Sequence, residues 1–266
     1  MSWAPRKRFG QNFLHDTDII QDIIQVLHLK HADEVIEIGP GQGALTGPLL
    51  QHLSHLTVIE IDRDLADFLK QQYSASQLTL FQEDVLKFDF RQYFKQKGLR
   101  QNLRIIGNLP YNISTPCLFH LLESCDIIQD MHFMLQKEVV ERLAALPGSK
   151  EYGRLSIMVQ YYCKVEPVFS VPKEAFSPVP KVESAVVRLI PHQTKPYPVL
   201  DMKLFQSLTT QIFSKRRKTL LNAFKPLLTL QDFEALNLDS TLRPEVLSLE
   251  TLVKITNYIY QNKGRD

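Results

Sequence analysis

Residues 34–46 read EVIEIGPGQGALT. Five residues of strand composition, EVIEI at 34–38, run into glycines at alternate positions, Gly39, Gly41 and Gly43. A segment of helical spacing, LTGPLLQHL, follows at once. Glycine permits a sharp turn and a close approach of backbone to a ligand, so a strand, a glycine turn and a helix in succession read as the first unit of an alternating α/β chain. The alternation continues outward. LTVIEID (56–62), LTLFQED (78–84), LRIIGN (103–108) and MHFMLQ (131–136) read as further strands, with helical segments such as DLADFLKQQY between them. The expectation is a mostly parallel, doubly wound sheet with helices on both faces. Upstream, DTDIIQDIIQVLHL has apolar residues at helical spacing, with Asp16 or Thr17 as its N-cap.

After residue 150 the pattern changes. RLSIMVQYY reads as a helix, and CKVEPVFSV and KVESAVVRLI read as two strands joined by the proline-rich PKEAFSPVP, an antiparallel edge on the sheet. PHQTKPYPVL (191–200) reads as a linker, and segments 201–213, 215–225, 231–236 and 248–261 as helices. The expected organisation is a Rossmann-like domain over 1–190, a linker over 191–200 and a small all-helical domain over 201–266.

Composition narrows the class. The 266 residues are 44% hydrophobic and 23% charged, as in soluble globular proteins, and no apolar run approaches the roughly 18 residues of a membrane-spanning helix. The N-terminus has charge without an apolar stretch behind it, unlike a secretory signal. Cys117, Cys125 and Cys163 have no metal-like pairing, and neither do the eight histidines, so no metal is expected and a cytoplasmic location fits. Net charge is +2, but residues 195–266 hold 11 Lys+Arg against 7 Asp+Glu, which points to a polyanionic partner for the C-terminal part.

The ends of the strands carry the chemistry. Glu60 closes the second strand, 21 positions after Gly39, where an acid accepts hydrogen bonds from two ribose hydroxyls. Asp84 closes the third and faces an adenine edge. Gly39-x-Gly41-x-x-Ala44 also satisfies the dinucleotide fingerprint. Pro40 and the extra Gly43 lean away from it, because G-x-G-x-G with Glu37 two positions ahead resembles the S-adenosylmethionine (SAM) methyltransferases.

At 107–111 the chain reads GNLPY. Proline lacks the N–H of a central strand, so the segment leaves the sheet there. Asn108 then points into the same crevice as Gly39, Glu60 and Asp84. An adenine N6 amino group has two N–H donors, and the Asn108 side-chain oxygen and the Leu109 carbonyl can each accept one. Holding both turns the nitrogen lone pair out of the ring and towards a methyl donor. Pro110 fixes the convergence, and Tyr111 offers a flat face for stacking, the ring and not the hydroxyl doing that work.

RKRFGQNFL, VIEIGPGQGALT, VIEID, GNLPYNIST, AFSPVPKVESAVVRL and FSKRRKTLLNAF together resemble the KsgA family of SAM-dependent ribosomal RNA adenine N6,N6-dimethyltransferases. The resemblance runs from about residue 6 to the end of the chain's helical part. It implies dimethylation of two adjacent adenosines in the 3′-terminal hairpin of small-subunit ribosomal RNA, late in subunit assembly; a monomer is expected. It implies cofactor contacts at Asn12, Leu14, Gly39, Gly41, Glu60, Asp84 and Asn108, and a catalytic clamp of Asn108, Leu109, Pro110 and Tyr111. Phe176 matches an aromatic that closes the other side of the base, and its alternative is a core anchor beside a proline-rich turn. Lys215, Arg216, Arg217 and Lys218, read as a helix start, and Arg6, Lys7 and Arg8 in the N-terminal arm are expected on RNA phosphates. A large-subunit dimethylase conferring antibiotic resistance and a largely non-catalytic assembly factor are the competing readings.

Overall fold

The protein is described over residues 12–262 by a computed structural model. The strands are β1 (Phe13–Leu14), β2 (Val35–Ile38), β3 (Leu56–Ile59), β4 (Leu78–Phe81), β5 (Leu103–Asn108), β6 (Ile128–Gln136), β7 (Cys163–Val171), β8 (Phe176–Ser177) and β9 (Ser184–Pro191). The helices are α1 (Thr17–Leu27), α2 (Thr46–His52), α3 (Arg63–Gln72), α4 (Phe90–Gln96), α5 (Ser114–Leu122), α6 (Lys137–Ala144), α7 (Arg154–Tyr162), α8 (Met202–Ser214), α9 (Leu220–Phe224), α10 (Leu230–Ala235) and α11 (Leu249–Asn262).

Seven strands form one sheet in the order β4-β3-β2-β5-β6-β9-β7. The first five are parallel, and β9 runs antiparallel to β6. β2 and β3 are buried along their whole length, as strands covered on both faces must be. The chain winds from β2 out to β4 and then returns to β5 on the other side of β2. That reversal opens a crevice at the carboxyl ends of β2 and β5, where ligands of such folds bind. Asp16 caps α1 by accepting the Asp18 and Ile19 N–H groups, as its position before the apolar repeat predicts. No helix among the described residues is long and apolar enough to cross a membrane.

β1 and β8 pair antiparallel as a separate two-stranded ribbon, Phe13 with Ser177 and Leu14 with Phe176. Nothing local predicts two-residue strands whose partners lie so far apart in sequence.

The chain packs as two units, one of residues up to Val140 with Lys164–Pro191, the other of Glu141–Cys163 with the chain from His192 onward. The sequence reading puts 141–163 with the sheet. In the structure α7 packs on α8 and α11 instead, with the Tyr161 ring 5.2 Å from that of Phe205. The reason is that α7 has too many buried apolar residues, Leu155, Ile157, Met158, Val159 and Tyr161, for a surface helix, and the helical unit needs that face.

Candidate active site

Asn12, Leu14, Gly39, Gly41, Glu60, Asp84, Asn108, Leu109, Pro110 and Tyr111 line a single cleft at the carboxyl ends of β2, β3 and β5. Two glycines set its shape. Gly41 has φ +57, and a Cβ there would press the Phe13 ring at 3.2 Å, so the β1 ribbon lies directly on the glycine turn. At Gly107 a Cβ would stand 2.5 Å from the Ile38 carbonyl oxygen. Only glycine lets the end of β5 approach β2 so closely, and that approach sets Asn108 beside the turn.

Glu60 is 5% exposed. Its Oε2 accepts the Gly41 N–H at 3.1 Å and its Oε1 the Asp62 N–H at 2.8 Å. Burial pushes its carboxyl above the ordinary range, against the pull of those two N–H groups. Each oxygen keeps a second lone pair, so a hydroxyl on each of two adjacent ribose carbons finds an acceptor. Deeper in β2, Glu37 accepts the Thr46 hydroxyl at 2.7 Å. Its burial lifts the carboxyl to about 8; the Thr46 bond opposes that shift and the nearby Glu60 charge adds to it. Asp84 Oδ1 accepts the Leu86 N–H at 3.0 Å and so shapes the loop after β4.

The Asn108 amide is oriented by the chain's N-terminal ribbon. Its Nδ2 donates to the Asn12 carbonyl at 3.1 Å. Committing the NH2 end to a carbonyl leaves the oxygen end as the acceptor on offer. Pro110 starts a turn in which its own carbonyl accepts the Ile113 and Ser114 N–H groups, both at 3.1 Å, and α5 begins there. The Tyr111 hydroxyl shares a 2.9 Å hydrogen bond with the buried Ser184 hydroxyl. Sequence reasoning assigned that hydroxyl nothing and did not find Ser184. The available signal was one hydroxyl residue opening a strand, immediately before the apolar run AVV at 185–187.

Two expectations need correction. Phe176 does not line the cleft: it is 1% exposed and packs in the core with Leu14, Ile106, Met134 and Val186. Pairing of β8 with β1 turns it inward, so its placement fits the core-anchor alternative. The basic stretch is not a helix start. Lys215–Lys218 form the turn between α8 and α9, closed by N–H bonds from Lys215 to Ile212 and from Lys218 to Lys215. Thr219, extended at ψ 160, precedes α9 and lets it bury Leu220, Ala223 and Phe224. Lys215 and Arg216 are partly buried and have protein partners, the Ala223 carbonyl at 3.4 Å and the Lys150 carbonyl at 2.8 Å. Arg217 and Lys218 are exposed. Arg6, Lys7 and Arg8 lie outside the described residues.

The sequence profile of the ribosomal RNA adenine dimethylases matches residues 4–261. The chain belongs to that family. The "Ribosomal RNA small subunit methyltransferase A" proteins of Actinobacillus pleuropneumoniae serotype 5b (strain L20) and Pseudomonas aeruginosa PAO1 are each 52% identical to it over 260 residues. The alignments cover 97% of this chain and 90% and 96% of theirs. A dimethyladenosine transferase from Plasmodium falciparum superposes with a TM-score of 0.77 at 28% identity, over 93% of this chain and 98% of that one. As a ribosomal RNA adenine dimethylase the chain is a methyltransferase, and SAM is its methyl donor. The cleft fits that donor: a buried carboxylate suits its ribose, and a glycine turn without side chains lets a ligand lie close to the backbone.

Proposed function

We propose that this dimethylase modifies small-subunit ribosomal RNA, placing two methyl groups on N6 of each of two adjacent adenosines in the 3′-terminal hairpin, late in subunit assembly. It works as a monomer in the cytoplasm, with the unit of residues up to Val140 and Lys164–Pro191 holding the cofactor and the helical unit holding RNA. The observation that carries the reading is the Asn108 amide, whose NH2 is committed to Asn12, so that its oxygen is the end presented to an amine. The relatives named small-subunit methyltransferases support the choice of subunit.

When bound, SAM supplies an electrophilic methyl group. The protein's part is placement. Asn108 Oδ1 and the Leu109 carbonyl accept the two N6 hydrogens and favour a pyramidal nitrogen. Tyr111 stacks on the base, and Glu60 and Asp84 hold the donor's ribose and adenine. No strong general base is required, because the nitrogen's proton becomes acidic only after transfer; rate comes from alignment and preorganised acceptors. The monomethylated amine needs only one acceptor, so a second transfer is sterically open.

Single-turnover methylation of assembling small subunits, with products resolved by mass, tests this. Dimethyladenosine is the expected product. Asn108→Ala should lower the rate far more than RNA affinity, since its bond strengthens as nitrogen pyramidalises. A wild type that stops at monomethyladenosine, or an Asn108→Ala enzyme at full rate, sinks the clamp.

A further inference from the structure

Tyr111 follows β5 and Ser184 opens β9, and β6 lies between those strands. Two strand spacings are about 10 Å, so the phenol reaches sideways across the carboxyl end of β6 to its partner. Ser184 is fully buried, and its position is over-determined. It pairs with Gln136 of β6, and next to it the Glu183 carbonyl accepts the Lys137 N–H at 3.0 Å. The Glu183 carboxylate also pairs with the Lys137 ammonium at 2.8 Å. Tyr111 itself sits on a turn, Pro110–Ile113, where a ring fixed only at its Cα end would sweep through its rotamers. The hydroxyl bond to Ser184 fixes the other end.

We propose that Ser184 is a positioning residue of the methyl-transfer reaction, holding the Tyr111 ring by its hydroxyl in the one plane on which the target adenine stacks. The proposal rests on the clamp described above and deepens it. Stacking on an aromatic ring is worth roughly 1–3 kcal/mol per base, and only in a face-to-face arrangement. A base that slides with a mobile ring also loses the alignment of N6 with Asn108 and the methyl donor, where small displacements are costly in rate. The hydroxyl is therefore part of the machinery, although it touches no substrate. The tether also keeps the ring in place between the first and second transfers, when N6 has already lost one of its two clamp bonds.

The test is a double-mutant cycle on single-turnover methylation of small-subunit particles at saturating SAM and RNA, with SAM affinity measured by calorimetry. Ser184→Ala and Tyr111→Phe should each lower the transfer rate about tenfold, below the roughly hundredfold cost of a 1 Å misplacement because the ring keeps its backbone seat. The double variant should fall no further than the slower single variant, because both remove the same bond. SAM affinity should be unchanged in all three. Products of the variants should contain more monomethyladenosine than those of the wild type. A Tyr111→Phe enzyme at wild-type rate overturns the proposal and marks Ser184→Ala as a folding defect if that variant is slow. Multiplying effects overturn it as well, since they show two independent roles. If the wild type itself forms no dimethyladenosine, the functional reading falls and this proposal with it; normal wild-type product with unaffected variants overturns this proposal alone.

Discussion

Glu37 shows how one residue makes the site depend on pH. Burial lifts its carboxyl from the ordinary 4.5 to about 8, so near neutrality the folded protein holds a proton there that the unfolded chain releases. A folded pKa above the unfolded one means stability is fully present below about 4.5 and declines as pH rises to about 8. Glu37→Gln should abolish that decline, and thermal midpoints of wild type and variant should diverge as pH rises from about 4.5 to about 8. Parallel curves would show that Glu37 is ionised throughout. The donor's sulfonium and ammonium favour an ionised carboxylate nearby, so SAM binding should also release a proton, seen as a buffer-dependent binding enthalpy. In the sequence Glu37 is legible as a motif position beside Gly39, but its protonation is not. That property comes from the packing of β2 between β3 and β5, which no local pattern encodes.

Elements are held by ion pairs as well as by apolar faces. On β5, Arg104 Nε and Nη2 donate to Asp130 of β6 at 2.8 and 3.0 Å, Nη1 reaches Asp33 at 2.8 Å, and Nη2 also donates to the Leu27 carbonyl at 2.7 Å. Leu27 ends α1, so one guanidinium joins that helix to the sheet. Burial works to raise the Asp130 pKa, and the Arg104 and Arg188 guanidiniums outweigh it and hold the carboxylate low. Removing one partner of a buried pair strands the other, so Arg104→Ala should cost about 3–5 kcal/mol in urea unfolding. A loss under 1 kcal/mol would mean that water replaces the pair. Because the Asp130 pKa is depressed, its contribution is present above the unfolded carboxyl pKa and is lost as pH falls through the folded one. The α8–α9 turn carries a different prediction. Arg217→Ala with Lys218→Ala should flatten the salt dependence of RNA binding, the slope falling by about 0.7–0.9 for every phosphate that is no longer neutralised, with SAM affinity unchanged. Arg216→Ala should do so less, because that guanidinium already holds the Lys150 carbonyl. SKRRK reads as a helix start because Lys and Arg are good helix formers and no breaker intervenes. The chain turns there because Thr219 takes extended backbone, from which α9 sets off to bury Leu220, Ala223 and Phe224.

At the scale of the whole molecule, the chain passes between the two units three times, after Val140, Cys163 and Pro191. A fragment of residues 1–190 keeps α7 but lacks α8 and α11, on which α7 packs. It should aggregate on gel filtration, whereas the full chain stays discrete; a monodisperse fragment would show that α7 finds another place on the sheet. The alternation of strands and helices, the glycine turn and the ends of β3, β4 and β5 were legible because each is local. The β1–β8 ribbon was not, because a two-residue strand carries no period and the partner of Phe13, Ser177, lies 164 residues away. That distance has a consequence for a chain made from its N-terminus. Asn12, whose carbonyl orients the Asn108 amide, is synthesised long before the strand that anchors its neighbour Leu14, which arrives only with Phe176. At about 5–20 residues per second, roughly 8–30 s separate them on the ribosome. Late in that interval the glycine turn and Glu60 are already in the chain, but the amide has no fixed orientation. The clamp is therefore completed only once residue 177 has been made, so a chain that ends before it has the glycine turn and Glu60 but not the ribbon that sets the Asn108 amide.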